Sequence, residues 1–464
     1  MNLILVRGMR NHLRFAYGCF VCSRAWLCFV HQTCRCMVLV LAFAVLGSVN
    51  SGIAAAANGG KDRSKEWVGT WAASPQPPIP GSVQSYRNQT LRLIVHTSAG
   101  GKRVRIKISN IYGDRPLLIG GAHIARRTAA ADIEPVSDRI VKFHGQSSTR
   151  VAAGSMASSD PVELDVPALS DLAISVFVPE TTEVKTLHVM AKQTSYVSAE
   201  TGDSTAAVKF PVAKTIRSWP FLTGVDVEAS SRGAAIVALG SSLTDGDGTT
   251  TDSNRRWPDV LAERLQKSSD GKMKFGVLNE GIIGNRLLHD SPKGADNPFG
   301  AALGEAGLAR FERDVLAQAG VKFVIVGLGI NDIAFPAFPF TPPSEKVTAE
   351  EIISGYRQLI ARAHKKGIRL IGTTNPPFEN STFTEPAVTF YTPEREAARR
   401  RVNDWILSSG EFDGVVDLDA VLRDPSRPTQ LLPSYDSGDH LHPNDAGSRA
   451  EGDAIPLSLF AGHY

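Results

Sequence analysis

Residues 235–246 limit most strongly what this 464-residue chain can fold into. Their sequence, AIVALGSSLTDG, is an apolar run with β-branched residues that ends in Gly-Ser-Ser, and a helical pattern over 257–265 follows. This order predicts a buried strand, a tight turn and a helix. A serine at such a turn stands at the carboxyl end of a parallel sheet, where open α/β folds bind ligands. A serine- and glycine-rich loop without chemistry would look the same locally.

Apolar strands alternate with helical patterns throughout the second half of the chain. The strand patterns cover 234–239, 321–328, 368–372 and 415–418, and the helical patterns cover 257–268, 306–319, 349–366 and 394–408. In the third helical pattern one apolar stripe contains Ile352, Tyr356, Leu359, Ile360 and Ala363. This alternation predicts an α/β domain over 230–464, with a parallel sheet covered by helices on both faces in three α/β/α layers.

The preceding region has the period of two that is typical of strands. Val104, Ile106 and Ile108 alternate with Arg105 and Lys107, and turn residues recur at short intervals. The pattern predicts an antiparallel β-sandwich of the jelly-roll type over 67–205, with the boundary to the next domain between 203 and 233. Three aromatic residues of this region leave two interpretations open: Trp67, Trp71 and Tyr112. Their side chains could stack on sugars or pack in the core.

The first 57 residues resemble an export signal. The segment 37–46 is continuously apolar, Arg35 precedes it, and the small residues 54–57 follow. The apolar stretch is short for a membrane span, so we expect a signal peptide over 1–57 with cleavage near Ala56 or Ala57. A retained N-terminal anchor is the alternative. Export predicts a secreted or periplasmic protein.

Charge and cysteine usage exclude several classes of partner. The five arginines of residues 1–57 have no acidic counterpart there, so their removal changes the formal net charge from +3 to −2. The rest of the chain therefore has no basic excess that would favour nucleic acid. All five cysteines lie within the first 36 residues. Zinc ligation by these cysteines with His31 is an alternative that we do not favour, and the exported chain contains no disulfide.

Four short blocks each end a strand or open a loop at what should be the same edge of the sheet: 240–243, 279–286, 329–332 and, near the C-terminus, 439–444. Acyl transfer by a serine needs a base near the hydroxyl, an orienting group for that base, and donors for the oxyanion. Asp439 and His442 are three residues apart, so the carboxylate can reach one imidazole nitrogen while the other nitrogen faces Ser242. The spacing to Asp439 and the following proline favour His442 over His440.

The donors for the oxyanion come from three of these blocks. Ser242 and Gly284 can offer backbone N–H groups, and the Asn331 amide can offer a third donor. Alternative interpretations exist for each of these residues. Asn331 is common in turns, and Gly284 alone indicates only room or a positive φ.

The four blocks in this order resemble the SGNH, or GDSL, hydrolase superfamily of esterases. The resemblance covers about 234–460, and the first region, which begins with Gly-Thr-Trp-Ala-Ala-Ser, looks like that of a two-domain secreted branch close to carbohydrate esterases. It implies that Ser242 is the nucleophile, His442 the base and Asp439 its partner. It also implies an oxyanion hole formed by Ser242, Gly284 and Asn331. The usual Gly-Asp-Ser is Gly-Ser-Ser here, which leaves Ser241 as an alternative nucleophile.

Other interpretations of nearby residues remain. A metal site could be built from acidic and histidine side chains near the C-terminus: Asp436, Asp439, His440 and His442. We expect no metal and no cofactor, because serine chemistry needs neither. The loop 334–340, which is rich in Phe and Pro, either walls the acyl pocket or packs against the first domain. Residues 375–378 are expected to line the same cleft.

The sequence thus predicts an exported serine esterase whose substrate is an ester, chiefly an acetylated polysaccharide or other glycan. A lipase-like or phospholipid acylhydrolase and an inert glycan-binding protein are the alternatives. We expect no nucleic-acid partner and no stable membrane insertion after removal of the signal.

Overall fold

A computed structural model describes residues 66–229, 233–268, 274–294, 296–384 and 387–461. The signal peptide expected over 1–57, with all the cysteines, lies outside the described residues. In the part of the chain that is described, no helix combines the length and the apolar character needed to cross a bilayer.

The first region is built of antiparallel strands. They are Glu66–Ala72 (β1), Ser85–Tyr86 (β2), Gln89–His96 (β3), Gly101–Ser109 (β4), Leu117–Ile119 (β5), Gly121–Ala129 (β6), Asp132–Ile133 (β7), Arg139–Ile140 (β8), Thr149–Val151 (β9), Met156–Ser158 (β10), Val162–Val166 (β11), Asp171–Val178 (β12), Thr182–Glu183 (β13), Leu187–His188 (β14), Ser195–Ser198 (β15), Val212–Ile216 (β16), Trp219–Pro220 (β17) and Leu222–Ala229 (β18). One sheet has the order β1-β18-β4-β10, with β11 also paired to β4. The other has the order β16-β15-β3-β12-β6-β7, with β8 also paired to β6.

The alternation in β4 has the predicted effect on packing. Val104, Ile106 and Ile108 are buried in one hydrophobic cluster with residues of β3 from the other sheet. Strand β3 does not alternate in the same way, because side chains cover both of its faces. Arg92 is fully buried there and donates hydrogen bonds to Ser175 and to two backbone carbonyls.

The aromatic residues for which sugar stacking stayed open differ in their surroundings. Trp71 belongs to the core, where its ring meets that of Trp219 edge to face at 4.9 Å. The Tyr112 hydroxyl donates a hydrogen bond to Glu305 of the second region at 3.2 Å. Trp67 lies under the guanidinium of Arg105. These contacts give Trp71 a packing role.

The strands of the first region continue beyond residue 205, the predicted end of the β-sandwich. Strand β18 lies between β1 and β4 in the middle of a sheet, so the antiparallel region runs to Ala229. Its residues Val225 and Val227 are fully buried in the core of that region. A strand that pairs with residues more than a hundred positions earlier carries no local signal of that pairing.

The second region contains a parallel sheet with helices. Its strands are Gly233–Gly240 (β19), Lys274–Gly281 (β20), Val321–Gly327 (β21), Arg369–Thr373 (β22), Thr382–Thr384 (β23), Ala387–Thr389 (β24), Gly414–Val416 (β25), Arg423–Asp424 (β26) and Arg427–Leu431 (β27). Its α-helices are Ser242–Asp245 (α1), Trp257–Ser268 (α2), Gly307–Arg310 (α3), Ile330–Ala334 (α4), Ala349–Lys365 (α5), Pro393–Ser408 (α6), Leu418–Leu422 (α7) and Asp445–Ala454 (α8). The parallel sheet has the order β20-β19-β21-β22-β25.

Alternate side chains of the central strand β19 pack on opposite faces of this sheet. Ala235, Val237 and Leu239 join the cluster that contains the apolar stripe of α5 and residues of α6. Ile236, between them, joins a second cluster with α2 and Phe460. The predicted parallel sheet with helices on both faces is confirmed for this region.

Most of the predicted helices form, with differences at two places. Helix α5 begins at a capping box of Thr348 and Glu351, and its apolar stripe is buried as expected. The pattern over 306–319 forms α3 followed by a π-helical segment, Phe311–Leu316. Arg310, at the junction, is buried and donates hydrogen bonds to the carbonyl oxygens of Glu280 and Gly240. One predicted strand also differs: the strand expected over 415–418 ends at Val416, because the side chain of the next residue, Asp417, caps α7.

The two regions are joined through the outer strands β1 and β20. A side chain at Gly276 would place its Cβ 1.8 Å from the carbonyl oxygen of Gly69, so the backbones can approach only because glycine stands there. Val68 and Ala72 of β1 belong to the same buried cluster as Leu239 and Leu278. The antiparallel region is therefore packed directly on the sheet that carries the candidate site.

Candidate active site

Ser242 lies at the first position of α1, directly after the buried strand β19. The turn that carries it needs glycine at two points. A Cβ at Gly240 would lie 2.0 Å from the Thr244 hydroxyl oxygen, and Gly246 ends α1 with a φ of +101°. The Ser242 side chain is therefore held at the carboxyl end of the central strand.

Three predicted residues meet at this turn. The Nε2 atom of His442 lies 2.8 Å from the Ser242 hydroxyl oxygen, and its Nδ1 atom lies 2.5 Å from Asp439 Oδ2. The other carboxylate oxygen of Asp439 accepts the backbone N–H groups of Leu441 and His442 at 3.0 and 2.8 Å. The three side chains thus form one continuous hydrogen-bonded series between residues that are 200 positions apart in sequence.

The surroundings shift the pKa values of the acid and the imidazole apart. Burial alone would raise the pKa of Asp439, but the hydrogen bond and charge of His442 and the backbone N–H groups outweigh it, so the pKa lies well below its usual value. Burial alone would lower the pKa of His442. The hydrogen bond to Asp439 and the negative charges of Asp247 and Asp439 outweigh it, so the pKa of His442 is raised. Asp439 is an anion at neutral pH.

The residues expected to bind an oxyanion face the same cavity as Ser242 and His442. Gly284 has a φ of +69°, and a Cβ there would lie 2.7 Å from a methyl carbon of Leu303. Among the described residues, no protein acceptor takes the backbone N–H of Ser242 or that of Gly284. The Asn331 amide donates to the carbonyl oxygen of Asn285 at 2.9 Å, which engages one of its two N–H bonds.

Two buried carboxylates that the sequence analysis did not single out hold the turn around Gly284. Asp245 accepts the backbone N–H of Ile283 at 3.1 Å. Asp332 accepts those of Leu287 and Leu288 at 2.7 and 2.9 Å. Both carboxylates stand beside predicted site residues in sequence, but only the folded chain shows which backbone groups they bind.

The first region also reaches this turn. The His188 Nε2 atom lies 2.9 Å from the Oδ1 atom of Asp245, and its Nδ1 atom bonds the carbonyl oxygen of Ser74 at 2.9 Å. Both side chains are almost completely buried, with exposed fractions of 2% and 1%. The sequence has no signal for this pair, because one partner lies in each region.

The cavity beside Ser242 has a volume of about 330 Å³ and a mostly apolar wall. Its apolar lining consists of Ile283, Phe299, Leu303, Ile330, Ala334, Phe335, Phe338, Phe383, Phe390 and Leu441. Phe338 is the centre of this group, since its ring lies within 5.4 Å of those of Phe335, Phe383 and Phe390. A wall of this kind suits an apolar group of a ligand.

The structure decides between the two interpretations of the loop 334–340. Phe335 and Phe338 line the cavity, and Phe340 stacks on Phe338 at 4.6 Å. The prediction that residues 375–378 line the cleft is wrong, because none of them lines the cavity beside Ser242. Phe378 is fully buried against Tyr391, and the carbonyl oxygen of Asn375 accepts hydrogen bonds within the protein.

The alternative site residues take no part in the hydrogen bonds that join Ser242, His442 and Asp439. The Ser241 hydroxyl is fully buried and has no hydrogen-bond partner among the described residues. His440 bonds Asp436 at 2.6 Å. Within the described ranges, no cluster of three histidine, cysteine or acidic side chains could hold a metal ion.

One further acidic residue faces the site. Asp247 lines the cavity, and its Oδ2 atom lies 3.9 Å from His442 Nε2. Asp247 carries no signal of this role in the sequence, because it stands where Asp and Gly residues alternate over 245–248.

The fold and the site define the class of the second region: a parallel α/β hydrolase-type domain with a serine at the carboxyl edge of its sheet. Residues 236–455 match the family model described as GDSL-like Lipase/Acylhydrolase. The match supports the GDSL/SGNH lipase-acylhydrolase superfamily for this region, and with it an esterase or acylhydrolase. The resemblance expected from the four blocks is confirmed at that level.

Several solved structures are similar to about half of the chain. The M. smegmatis aryl esterase is 21% identical and aligns with 48% of this chain and 95% of its own, with a TM-score of 0.36. A carbohydrate acetylesterase family member from Sinorhizobium meliloti is 19% identical over 48% and 94%, with a TM-score of 0.35. A catalytic mutant of an acetylxylan esterase from Geobacillus stearothermophilus is 19% identical and aligns with 50% of this chain and 96% of its own, with a TM-score of 0.35. No curated protein sequence matches the chain.

Proposed function

We propose that the protein is a serine esterase that hydrolyses carboxylic esters through an acyl-enzyme, with Ser242 as nucleophile, His442 as base and Asp439 as its partner. The observation that carries this proposal is the hydrogen-bonded series from the Ser242 hydroxyl through the His442 imidazole to Asp439, at 2.8 and 2.5 Å. An alcohol, an imidazole and a carboxylate in this order are the parts of a serine hydrolase.

In this mechanism His442 Nε2 takes the proton of Ser242 as the hydroxyl oxygen attacks the ester carbonyl carbon. The negative charge on the carbonyl oxygen is bound by the backbone N–H groups of Ser242 and Gly284 and by the Asn331 amide. The imidazolium then gives its proton to the leaving alcohol, and the acyl group stays on Ser242. Water repeats the attack with His442 as base and releases the carboxylic acid. These steps need no cofactor and no metal.

We propose an acylated glycan as the substrate and acetyl as the chief acyl group removed. The protein is proposed to be exported to the periplasm or the medium after cleavage of residues 1–57, where such esters are accessible. We further propose that the two antiparallel sheets of the first region form a β-sandwich of the two-domain secreted branch. N-terminal sequencing of the exported protein tests the cleavage site near Ala56 or Ala57.

The aromatic wall of the cavity favours a second candidate, a lipase-like acylhydrolase for longer acyl chains. An acetyl group would fill only a small part of a cavity of about 330 Å³. Phe338 and its neighbours would contact an acyl chain of several carbons. The two candidates share all catalytic steps and differ only in the acyl group.

Hydrolysis of 4-nitrophenyl esters from acetate to dodecanoate tests the proposal and separates these candidates. We expect turnover in the wild type, a loss of at least about a thousandfold in Ser242→Ala, and retained activity in the matched control Ser241→Ala. A kcat/KM maximum at acetate supports the glycan candidate, and a maximum at long chains supports the lipase-like candidate. Equal activity of wild type and Ser242→Ala would contradict the esterase mechanism. A wild type that binds acylated glycan without hydrolysing any ester would indicate the inert glycan-binding alternative.

A further inference from the structure

Asp247 is placed beside the reacting atoms by the same turn that presents Ser242. Its backbone N–H donates to the carbonyl oxygen of Ser242 at 2.9 Å. The next residue, Gly248, has a φ of +83° and packs against the segment that carries His442. A Cβ at Gly248 would lie 2.4 Å from the Pro443 carbonyl oxygen, so glycine is required for this close approach.

One oxygen of the Asp247 carboxylate is uncommitted. The Oδ1 atom accepts the backbone N–H of Gly248 at 3.0 Å, which fixes the orientation of the group. No donor in the described part of the chain bonds the Oδ2 atom, which lies 3.9 Å from His442 Nε2. The side chain is one-third exposed and lines the cavity. The other carboxylate that lines the cavity, Asp439, is occupied by His442.

The side of the cavity that Asp247 faces follows from the proposed mechanism. The leaving alcohol takes its proton from His442 Nε2, so its oxygen must come within hydrogen-bond distance of that atom. Asp247 Oδ2 is close to the same nitrogen and therefore adjoins the alcohol part of the ester. A hydroxyl on the carbon next to the one that bears the ester oxygen comes within reach of this carboxylate.

We propose, on the basis of the proposed esterase function, that Asp247 forms a subsite for the leaving alcohol. This subsite selects alcohols with a hydroxyl on the carbon next to the one that bears the ester oxygen. The free carboxylate oxygen accepts a hydrogen bond from that neighbouring hydroxyl, as the vicinal hydroxyl of a glycan ester would provide. An alcohol with a phosphate or carboxylate at this position is repelled by the same charge. The subsite thus favours neutral polyol esters over anionic lipid headgroups.

Two acetate esters that differ only in the neighbouring donor test this subsite. In 2-hydroxyethyl acetate the hydroxyl is present, and in 2-methoxyethyl acetate it is methylated. We expect the wild type to prefer the hydroxyl ester in kcat/KM by roughly five- to tenfold, the ordinary worth of one such hydrogen bond. The preference should disappear in Asp247→Ala. It should persist in Asp453→Ala, which removes one charge from α8 on a side chain that does not line the cavity.

The ratio of the kcat/KM values for the two esters is compared within each variant, so a general change in activity cancels. Equal kcat/KM values for both esters in the wild type, or the same ratio in Asp247→Ala, would overturn the subsite and leave the esterase proposal intact. A preference for 2-(trimethylammonio)ethyl acetate over the hydroxyl ester would overturn the hydroxyl assignment in favour of a cation site. Failure of the wild type to hydrolyse these esters and every 4-nitrophenyl ester from acetate to dodecanoate would refute the esterase proposal, and the subsite with it.

Discussion

The His188 imidazole lies 2.9 Å from the Asp245 carboxylate, and this buried pair links the antiparallel region to the turn that carries Ser242. Asp245 uses its other carboxylate oxygen to hold the backbone N–H of Ile283, the residue before Gly284. The first region therefore takes part in positioning the proposed oxyanion hole.

Removal of the His188 side chain should cost both stability and activity. His188→Ala leaves the buried Asp245 carboxylate without its partner, which we expect to lower the free energy of unfolding by about 3 kcal/mol. His188→Gln keeps a donor and should lose less. Urea unfolding and kcat for 4-nitrophenyl acetate measure the two effects. Unchanged stability of His188→Ala would contradict a structural role for the pair.

The stability provided by His188 should depend on pH. Burial lowers the pKa of His188, but the charge and hydrogen bond of Asp245 and the bond to Ser74 outweigh it, so the pKa is raised above 6.5. A raised pKa adds stability that is complete below the unfolded value and is lost as the pH rises through the folded value. The difference in unfolding free energy between wild type and His188→Gln should therefore be larger at pH 6 than at pH 9. A difference that grows with pH would refute this assignment.

Glu451 should make the protein less stable as the pH rises. Its side chain is 1% exposed, its Oε2 atom has no partner among the described residues, and burial raises its pKa well above the usual value. The unfolded chain ionises above about pH 4.5 while the folded carboxyl stays protonated, so unfolding becomes easier. We expect the free energy of unfolding of Glu451→Gln to exceed that of the wild type by at least about 1 kcal/mol at pH 8 and to equal it near pH 4.5. Parallel stability curves in urea titrations at these pH values would contradict the assignment.

The pH dependence of ester hydrolysis should follow the His442 imidazole. His442 acts as a base only when neutral, so kcat/KM should rise with pH through its pKa, which is raised above 6.5. Asp247 contributes a negative charge to that increase. In Asp247→Asn the rising limb of the profile should therefore move to lower pH, while Asp453→Asn should leave it in place. A shift to higher pH in Asp247→Asn would contradict the charge relationship.

Asn331 should matter mainly for the chemical step. Its amide is proposed to bind the oxyanion, so Asn331→Ala should lower kcat by about a hundredfold or more with a smaller change in KM. Asn331→Asp keeps the size of the side chain but not the donor, and should be comparably impaired. Thermal unfolding controls for the lost bond to Asn285. Activity within about twofold of wild type in both variants would exclude this role.

Local patterns predicted much of the second region, since its buried strands are apolar runs and its helices have an apolar period. The turn at Ser242 and the segment with Asp439 and His442 lie where their sequence predicts, and their side chains come within hydrogen-bond distance. Their catalytic roles stay predictions. The blocks end strands or open loops at one edge of a parallel sheet, which is why their meeting there could be expected.

Features that depend on contacts between distant segments could not be predicted. Strand β18 joins the first sheet through partners far earlier in the chain. The pairing of His188 with Asp245 and the approach of Asp247 to His442 arise from packing that leaves no local period. The wall built by Phe338 and Phe383 likewise needs two segments that lie 45 positions apart in the sequence.

Covalent labelling of Ser242 tests the central claim most directly. The wild type, Ser242→Ala and Ser241→Ala are treated with a fluorophosphonate probe, digested and mapped by mass spectrometry. We expect a single adduct on Ser242 in the wild type and in Ser241→Ala, and none in Ser242→Ala. An adduct on Ser241, or ester hydrolysis by the wild type without any adduct on Ser242, would contradict the account.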